Sequence, residues 1–291
     1  MKQIREINLE KECKIMKKLK YLLEERLNKG LMFSLNDIKE IIEYFLEVYD
    51  VFDIVRDCVL YTDFDKKTSQ GYYDPSNLLL YFNEANIRDS IVRRHKSTIG
   101  KQIPFQNYYN YHLLVAILHE LIHVLQFKDV LNGKVEDKPI VLELYKLSHD
   151  LLKDKGLYKE YHGLFPIERE AIISSNDTVL SCYQSLDPEL VGKESLRIYQ
   201  LETILAILKD YERKFRMISP VQQLLKVSDD PLRKYYEQNI KEEYLSLYRR
   251  LELGLPIDKK EYDRLINLYH DINEGKVPVQ ESVKKIILRR G

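Results

Sequence analysis

The sequence predicts a predominantly helical α+β fold, in which a small β-sheet belongs to a central core and helices flank that core on both sides. Three observations favour this fold class. The chain has only 10 Gly in 291 residues and is rich in Lys, Glu, Leu and Ile, a composition that favours helices. Apolar residues recur at three- and four-residue spacing over most of the chain. Residues 52–82 differ, because apolar and Tyr-containing stretches alternate there with polar turns.

The first predicted region is an N-terminal helical segment, residues 1–50. Its first helix covers residues 1–29, and it ends before Gly30, a residue type that commonly terminates helices. Ser34 is a candidate N-cap for a second helix, which runs to about Asp50. This region therefore consists of two amphipathic helices.

The second predicted region, residues 51–185, contains the core. Residues 78–82, Leu-Leu-Leu-Tyr-Phe, follow a polar turn at 74–77, and we expect them to form a strand of a hairpin within a small sheet. The third region, residues 186–291, consists only of predicted helices, broken at glycines and prolines. The helices predicted in the core cover residues 106–129, 139–155 and 166–184.

Composition excludes several classes of protein. The 46 Lys and Arg residues balance 46 Asp and Glu residues, so the chain lacks the basic excess of a dedicated nucleic-acid binder. No stretch approaches the apolar length of a membrane span, and no secretory signal is visible, so we expect a cytoplasmic protein. Three widely spaced cysteines without a CxxC pair argue against a disulfide framework or a thiolate zinc site. The sequence does not indicate the oligomeric state.

One short motif carries chemistry: His119-Glu120-Leu121-Ile122-His123. On a helix, residues four apart share a face, so two imidazoles at this spacing can bind one metal ion. Zinc accepts histidine nitrogen and leaves a position for water when three protein ligands bind. Glu120 flanks the ion and can take a proton from the attacking water. The apolar residues around the motif are typical of a buried helix.

A zinc site of this kind needs a third protein ligand, and residues 162–174 are the best source of one. Glu168 and Glu170 both lie near the start of the predicted helix that begins at Pro166. They are two residues apart, or about 200° around a helix, so only one of them can face the ion. Spacing alone leaves open which one it is.

The motif and the later Glu170-Ala171 pair resemble the gluzincin branch of the zincin metallopeptidases. The resemblance covers Phe52 to Gln184 and is greatest to compact intracellular members with a small sheet before the motif helix. It implies a zincin-like core with His119, His123 and Glu170 as zinc ligands and Glu120 as the general base. It also implies that residues 78–82 form the sheet edge beside the cleft, where a peptide substrate adds as an extended strand.

The chain departs from the family pattern at the position that usually orients a ligand histidine. Ser174 stands where thermolysin-like members have a carboxylate, and Asp177 follows one turn later. Both are candidate partners that would orient the imidazoles, as are backbone carbonyls. Tyr158, Tyr161 and His162, near the ligand helix, are candidate donors to the developing oxyanion.

The function predicted from these residues is zinc-dependent hydrolysis of peptide bonds in a peptide or protein substrate. Two alternatives remain open. One is a binding or regulatory protein that keeps a zincin fold without turnover. The other is a helical structural protein of a phage or mobile element, in which the motif is incidental. Bound Zn²⁺ and cleavage activity distinguish the three.

Overall fold

The structure, a computed structural model, divides the chain into two compact units, Met1–Tyr199 and Gln200–Gly291. It describes residues 2–65, 69–97, 100–132, 166–200 and 202–203. Within these ranges, the side chains of residues 2–9, 130, 166, 167, 169 and 170 are not described. The predicted helix at 139–155 and nearly all of the second unit lie outside the described residues. All elements named below belong to the first unit.

The described elements follow the predicted order, with three additions: a strand at Asp57–Tyr61, a helix at Glu84–His95 directly after the last strand, and a 3₁₀ turn at Gly100–Gln102. Residues 193–200 are helical as well. The fold is therefore mostly helical with one small sheet, as the sequence predicts. In chain order the elements are α1 (Lys2–Asn28), α2 (Leu35–Tyr49), β1 (Asp57–Tyr61), β2 (Gly71–Asp74), β3 (Leu79–Asn83), α3 (Glu84–His95), a 3₁₀ turn (Gly100–Gln102), α4 (Phe105–Leu131), α5 (Pro166–Gln184) and α6 (Pro188–Val191).

The junction between α1 and α2 is built from local capping interactions. Gly30 adopts a φ of 62°, a left-handed conformation that a residue without Cβ reaches at no steric cost. Ser34 caps α2 as predicted, because its hydroxyl accepts from the Asp37 amide while the Asp37 carboxylate accepts from the Ser34 amide. Arg26 of α1 also pairs with Asp37 at 2.7 Å, so one buried carboxylate holds both helices.

The sheet is mixed, with strand order β1-β3-β2. β3 pairs with β2 in the predicted antiparallel hairpin and with β1 in parallel. β3 is thus the central strand, and the expectation that residues 78–82 form the sheet edge is wrong. The reason is the crossover of the chain, which places β1 and β2 on opposite sides of β3. The edge strand that contacts α4 is β2.

The motif helix α4 is the centre of the first unit. It packs against α2, α3, α5 and β2, which explains why it is apolar on most of its faces. Three tyrosine rings join it to the following helices: Tyr111 stacks on Tyr199 at 4.0 Å, and Tyr183 of α5 meets both rings edge-on at 5.2 Å. The buried residues of α4 include Leu113, Leu114, Ile117, Leu118, Leu121 and Val124.

Contacts across the unit join two regions that the sequence separates. α1 and α2, from the predicted segment 1–50, pack against α4 and α5, which belong to the predicted core 51–185. Lys128, near the end of α4, donates to the Tyr49 carbonyl at 2.7 Å and also to the Asp50 carbonyl, where α2 ends. Among the described helices, none is long and apolar enough to cross a membrane. The three cysteines are free thiols.

Candidate metal centre and the adjoining cavity

Two helices bring three potential metal ligands together. His119 and His123 lie one turn apart on α4, and their Nε2 atoms are 3.2 Å apart. α5 packs against α4 and places Oε2 of Glu168 3.2 Å from Nε2 of His119 and 3.5 Å from Nε2 of His123. The Glu168 side chain is only 4% exposed. These three residues form a group that could hold a metal ion.

In the structure the carboxylate of Glu168 reaches both imidazoles, whereas the resemblance implies Glu170 as the ligand. The side chain of Glu170 lies outside what the structure describes, so its role as a ligand is not tested directly. The backbone at both positions is helical. Residues two apart on a helix are separated by about 200°, so a helix that turns position 168 towards α4 turns position 170 away from it. The helix geometry therefore favours Glu168.

A hydrogen bond within α4 orients one of the two imidazoles. Nδ1 of His123 lies 2.8 Å from Oε1 of Gln126, one turn later on the same helix. This contact fits a His123 tautomer that carries a proton on Nδ1 and presents Nε2 towards Glu168. Gln126 was not among the predicted site residues, although its three-residue spacing from His123 was a usable signal.

The carboxylate of Glu168 also affects the charge of His123. Burial alone lowers the pKa of His123, but the hydrogen bond and the charge of Glu168, together with Glu120 and Gln126, raise that pKa to about 9. A pKa of about 9 favours the protonated form of this imidazole at neutral pH. A histidine must be neutral to ligate a metal, so a cation binding here takes the place of that proton.

Glu120 lies beside this group and is held closely by the edge strand. A Cβ atom added at Gly71, the first residue of β2, would lie 2.8 Å from Cγ of Glu120. Burial raises the pKa of Glu120, the two histidines lower it, and Glu168 raises it, with a net increase. A raised pKa favours the uptake of a proton by this carboxylate, which is what a general base does.

A cavity of about 240 Å³ opens beside Glu120 and His119. β2 and β3 line one side of it, and α3, α4 and α5 line the others. On α4 the lining residues are His112, Val115, Ala116, His119 and Glu120, which bring one face of the helix into the cavity. This explains why Val115 and Ala116, within the long apolar run of α4, are less buried than their neighbours.

The other predicted site residues are Ser174 and Asp177 on α5 and three residues between positions 158 and 162. Tyr158, Tyr161 and His162 lie outside the described residues. Ser174 is half-buried and Asp177 is exposed on α5. The orienting roles of Ser174 and Asp177 remain predictions.

No family model matches the chain, and neither a curated protein nor a solved structure matches it. What the site can do is therefore inferred from its own residues and distances.

Proposed function

We propose that the protein is a zinc-dependent metallopeptidase with a zincin-like core. Its ligands would be His119, His123 and Glu168, and its general base would be Glu120. The observation that carries the proposal is the triangle of two imidazole nitrogens and one carboxylate oxygen, formed by two separate helices next to a further carboxylate.

The donor atoms fit zinc in kind and in spacing. Two imidazoles and one carboxylate form a donor set that catalytic zinc sites use, and it leaves a fourth position for water or substrate. Ligand atoms of a tetrahedral zinc ion with bonds of about 2.0–2.1 Å lie about 3.3–3.4 Å from one another. The three separations here are 3.2, 3.2 and 3.5 Å.

The chain's own residues would carry the proton transfers and hold the substrate. Bound zinc would supply Lewis acidity to the substrate carbonyl and lower the pKa of water. Glu120 accepts the proton of the attacking water and passes it to the leaving amine, a role to which its raised pKa is suited. β2 has one side paired to β3, so an extended peptide would add to its other side, next to Glu120.

The test is a metal analysis combined with peptide cleavage, using the full chain. We expect about one zinc ion per chain and cleavage of a mixed peptide library, detected by mass spectrometry. Glu120→Gln should keep the metal and lower the cleavage rate by about 10²-fold to 10⁴-fold, because it removes the base and leaves the ligands.

Two further variants test which glutamate is the ligand. Glu168→Gln should lose most of the bound zinc, whereas Glu170→Gln, the same change two residues away, should keep it. The opposite result would restore Glu170 as the ligand. A protein that binds no zinc, or a Glu120→Gln variant that cleaves as well as wild type, would contradict the proposed function. Zinc binding without any cleavage would favour a silent binding protein.

A further inference from the structure

The cavity extends well beyond the atoms that the proposed chemistry needs. His119 and His112 both line it and lie seven residues apart on α4. At the rise of an α-helix, this separation is about 10 Å along the axis. The half of the cavity near His112 is therefore too far from the candidate metal ligands to hold the scissile bond of a substrate. A substrate would reach it with a neighbouring part of its chain.

Two charged residues line the cavity, the candidate base Glu120 on α4 and Arg94 on α3, and Arg94 is the basic one. Arg94 follows the buried residues Ile87 and Ile91 at helical spacing, so it continues their face of α3, but it lies at the end of the helix and is exposed to solvent. Within the described ranges its guanidinium has no ion pair. Its neighbour Arg93 points elsewhere and pairs with Asp89 at 3.0 Å.

Arg94 lies towards the end of the cavity that is remote from His119. The adjacent ring of His95 packs on Phe105 and Tyr108 at 5.1 and 5.2 Å, and both residues belong to the first turn of α4. Tyr108 in turn packs on His112 at 4.2 Å. The end of α3 thus lies beside the start of α4, more than one helical turn before the candidate metal ligands.

The walls of the cavity determine what an arginine there can bind. Phe82, Ile87, Val115 and Ala116 are apolar, whereas Gln70, His112, Ser175 and Asn176 offer polar atoms, so a charged group that enters loses part of its water and gains most from an opposite charge. A guanidinium matches a carboxylate with two parallel hydrogen bonds, a pairing much stronger than one between neutral groups. A basic residue at the end of a helix also favours the helix dipole, but that role does not require Arg94 to line a cavity.

We propose that this cavity is a substrate subsite, in which Arg94 binds a carboxylate of the peptide. The carboxylate belongs either to an Asp or Glu side chain near the scissile bond or to the C-terminus of the peptide. Arg94 is a specificity residue and takes no part in the bond cleavage. The inference rests on the proposed function, because it assigns the substrate class of the same site.

The experiment compares matched peptides that differ only in the carboxylate. One pair carries Glu or Gln at each position next to the cleaved bond, and a second pair carries a free or an amidated C-terminus. Wild type should prefer the carboxylate member of one pair by about 10-fold to 100-fold in kcat/KM. Arg94→Gln should abolish this preference, and Arg94→Glu should transfer it to a peptide with Lys at that position. Arg93→Gln is the matched control and should change nothing.

Binding of the same peptides to Glu120→Gln, measured by fluorescence anisotropy, separates the two proposals. Binding that prefers the carboxylate and depends on Arg94, without cleavage in wild type, would support the subsite and contradict the peptidase. Cleavage without discrimination, or discrimination that persists in Arg94→Gln, would overturn the subsite and leave the peptidase standing. Failure to bind any of the peptides would overturn the subsite as well.

Discussion

Replacing Gly71 with Ala tests the contact between the edge strand β2 and the candidate base Glu120. The new Cβ would lie 2.8 Å from Cγ of Glu120, 3.2 Å from Cδ1 of Phe82 and 3.2 Å from the carbonyl oxygen of Tyr81. Ordinary contacts of this kind are 3.4–4 Å long. Either the Glu120 side chain or β2 must therefore move by about 1 Å, and β2 is held to β3 by its hydrogen bonds.

The expected cost follows from this overlap. Overpacking a well-filled site costs about 1–3 kcal/mol of unfolding free energy. Two of the three short contacts do not involve Glu120. Part of the loss of unfolding free energy therefore remains when the Glu120 side chain is removed. Glu120→Ala removes Cγ, and in that background we expect the cost of Gly71→Ala to fall by about 1 kcal/mol, a typical coupling for residues in contact.

The assay is a double-mutant cycle by urea unfolding of wild type, Gly71→Ala, Glu120→Ala and the double variant. Metal content is measured on each protein and should be unchanged in Gly71→Ala, because none of the three atoms nearest to the new Cβ belongs to a candidate ligand. If the protein is a peptidase, Gly71→Ala should also lower kcat by about 10²-fold, since a displacement of about 1 Å at a catalytic group has that effect.

If Gly71→Ala lowered the free energy of unfolding by the same amount in wild type and in Glu120→Ala, the contact between β2 and Glu120 would be refuted. This result does not depend on activity, so the packing is tested even if the proposed function fails. A loss of bound metal in Gly71→Ala with unchanged unfolding free energy would also contradict the reasoning, because it would place the strain on the ligands.

Two further predictions concern the residues that support the site and the fold. Gln126→Leu removes the 2.8 Å hydrogen bond to His123 and should weaken zinc affinity by about 10-fold to 100-fold in a chelator competition, whereas Gln106→Leu, the same change at an exposed position of α4, should not. Burial raises the pKa of Asp37, but hydrogen bonds from Ser34 and the charge of Arg26 outweigh it and hold that pKa below its ordinary value of 3.8. The stabilisation from Asp37 is therefore complete above that value and is lost as the pH falls through the lower folded pKa. Asp37→Asn should be less stable than wild type in urea at pH 7, and the difference should shrink in acid; a difference independent of pH would contradict this assignment.

Local patterns in the sequence were sufficient for most of the described helices and for the hairpin of the small sheet. The N-cap at Ser34 and the start of α5 at Pro166 depend on a few adjacent residues, and the structure confirms both. α3 was missed, because it begins directly after β3 without a turn or a proline. The available signals were Asn83, whose side chain caps the helix, and the spacing of Ile87 and Ile91.

By itself, the sequence determined that His119 and His123 share one helix face with Glu120 beside it, because residues three and four apart are neighbours on a helix whatever surrounds it. It could not decide between Glu168 and Glu170, since that choice depends on the rotation of α5 against α4. It also could not identify β2 as the edge strand or place Arg94 in the cavity. Those features arise where separate elements pack against one another, and no local spacing records their relative rotation or order.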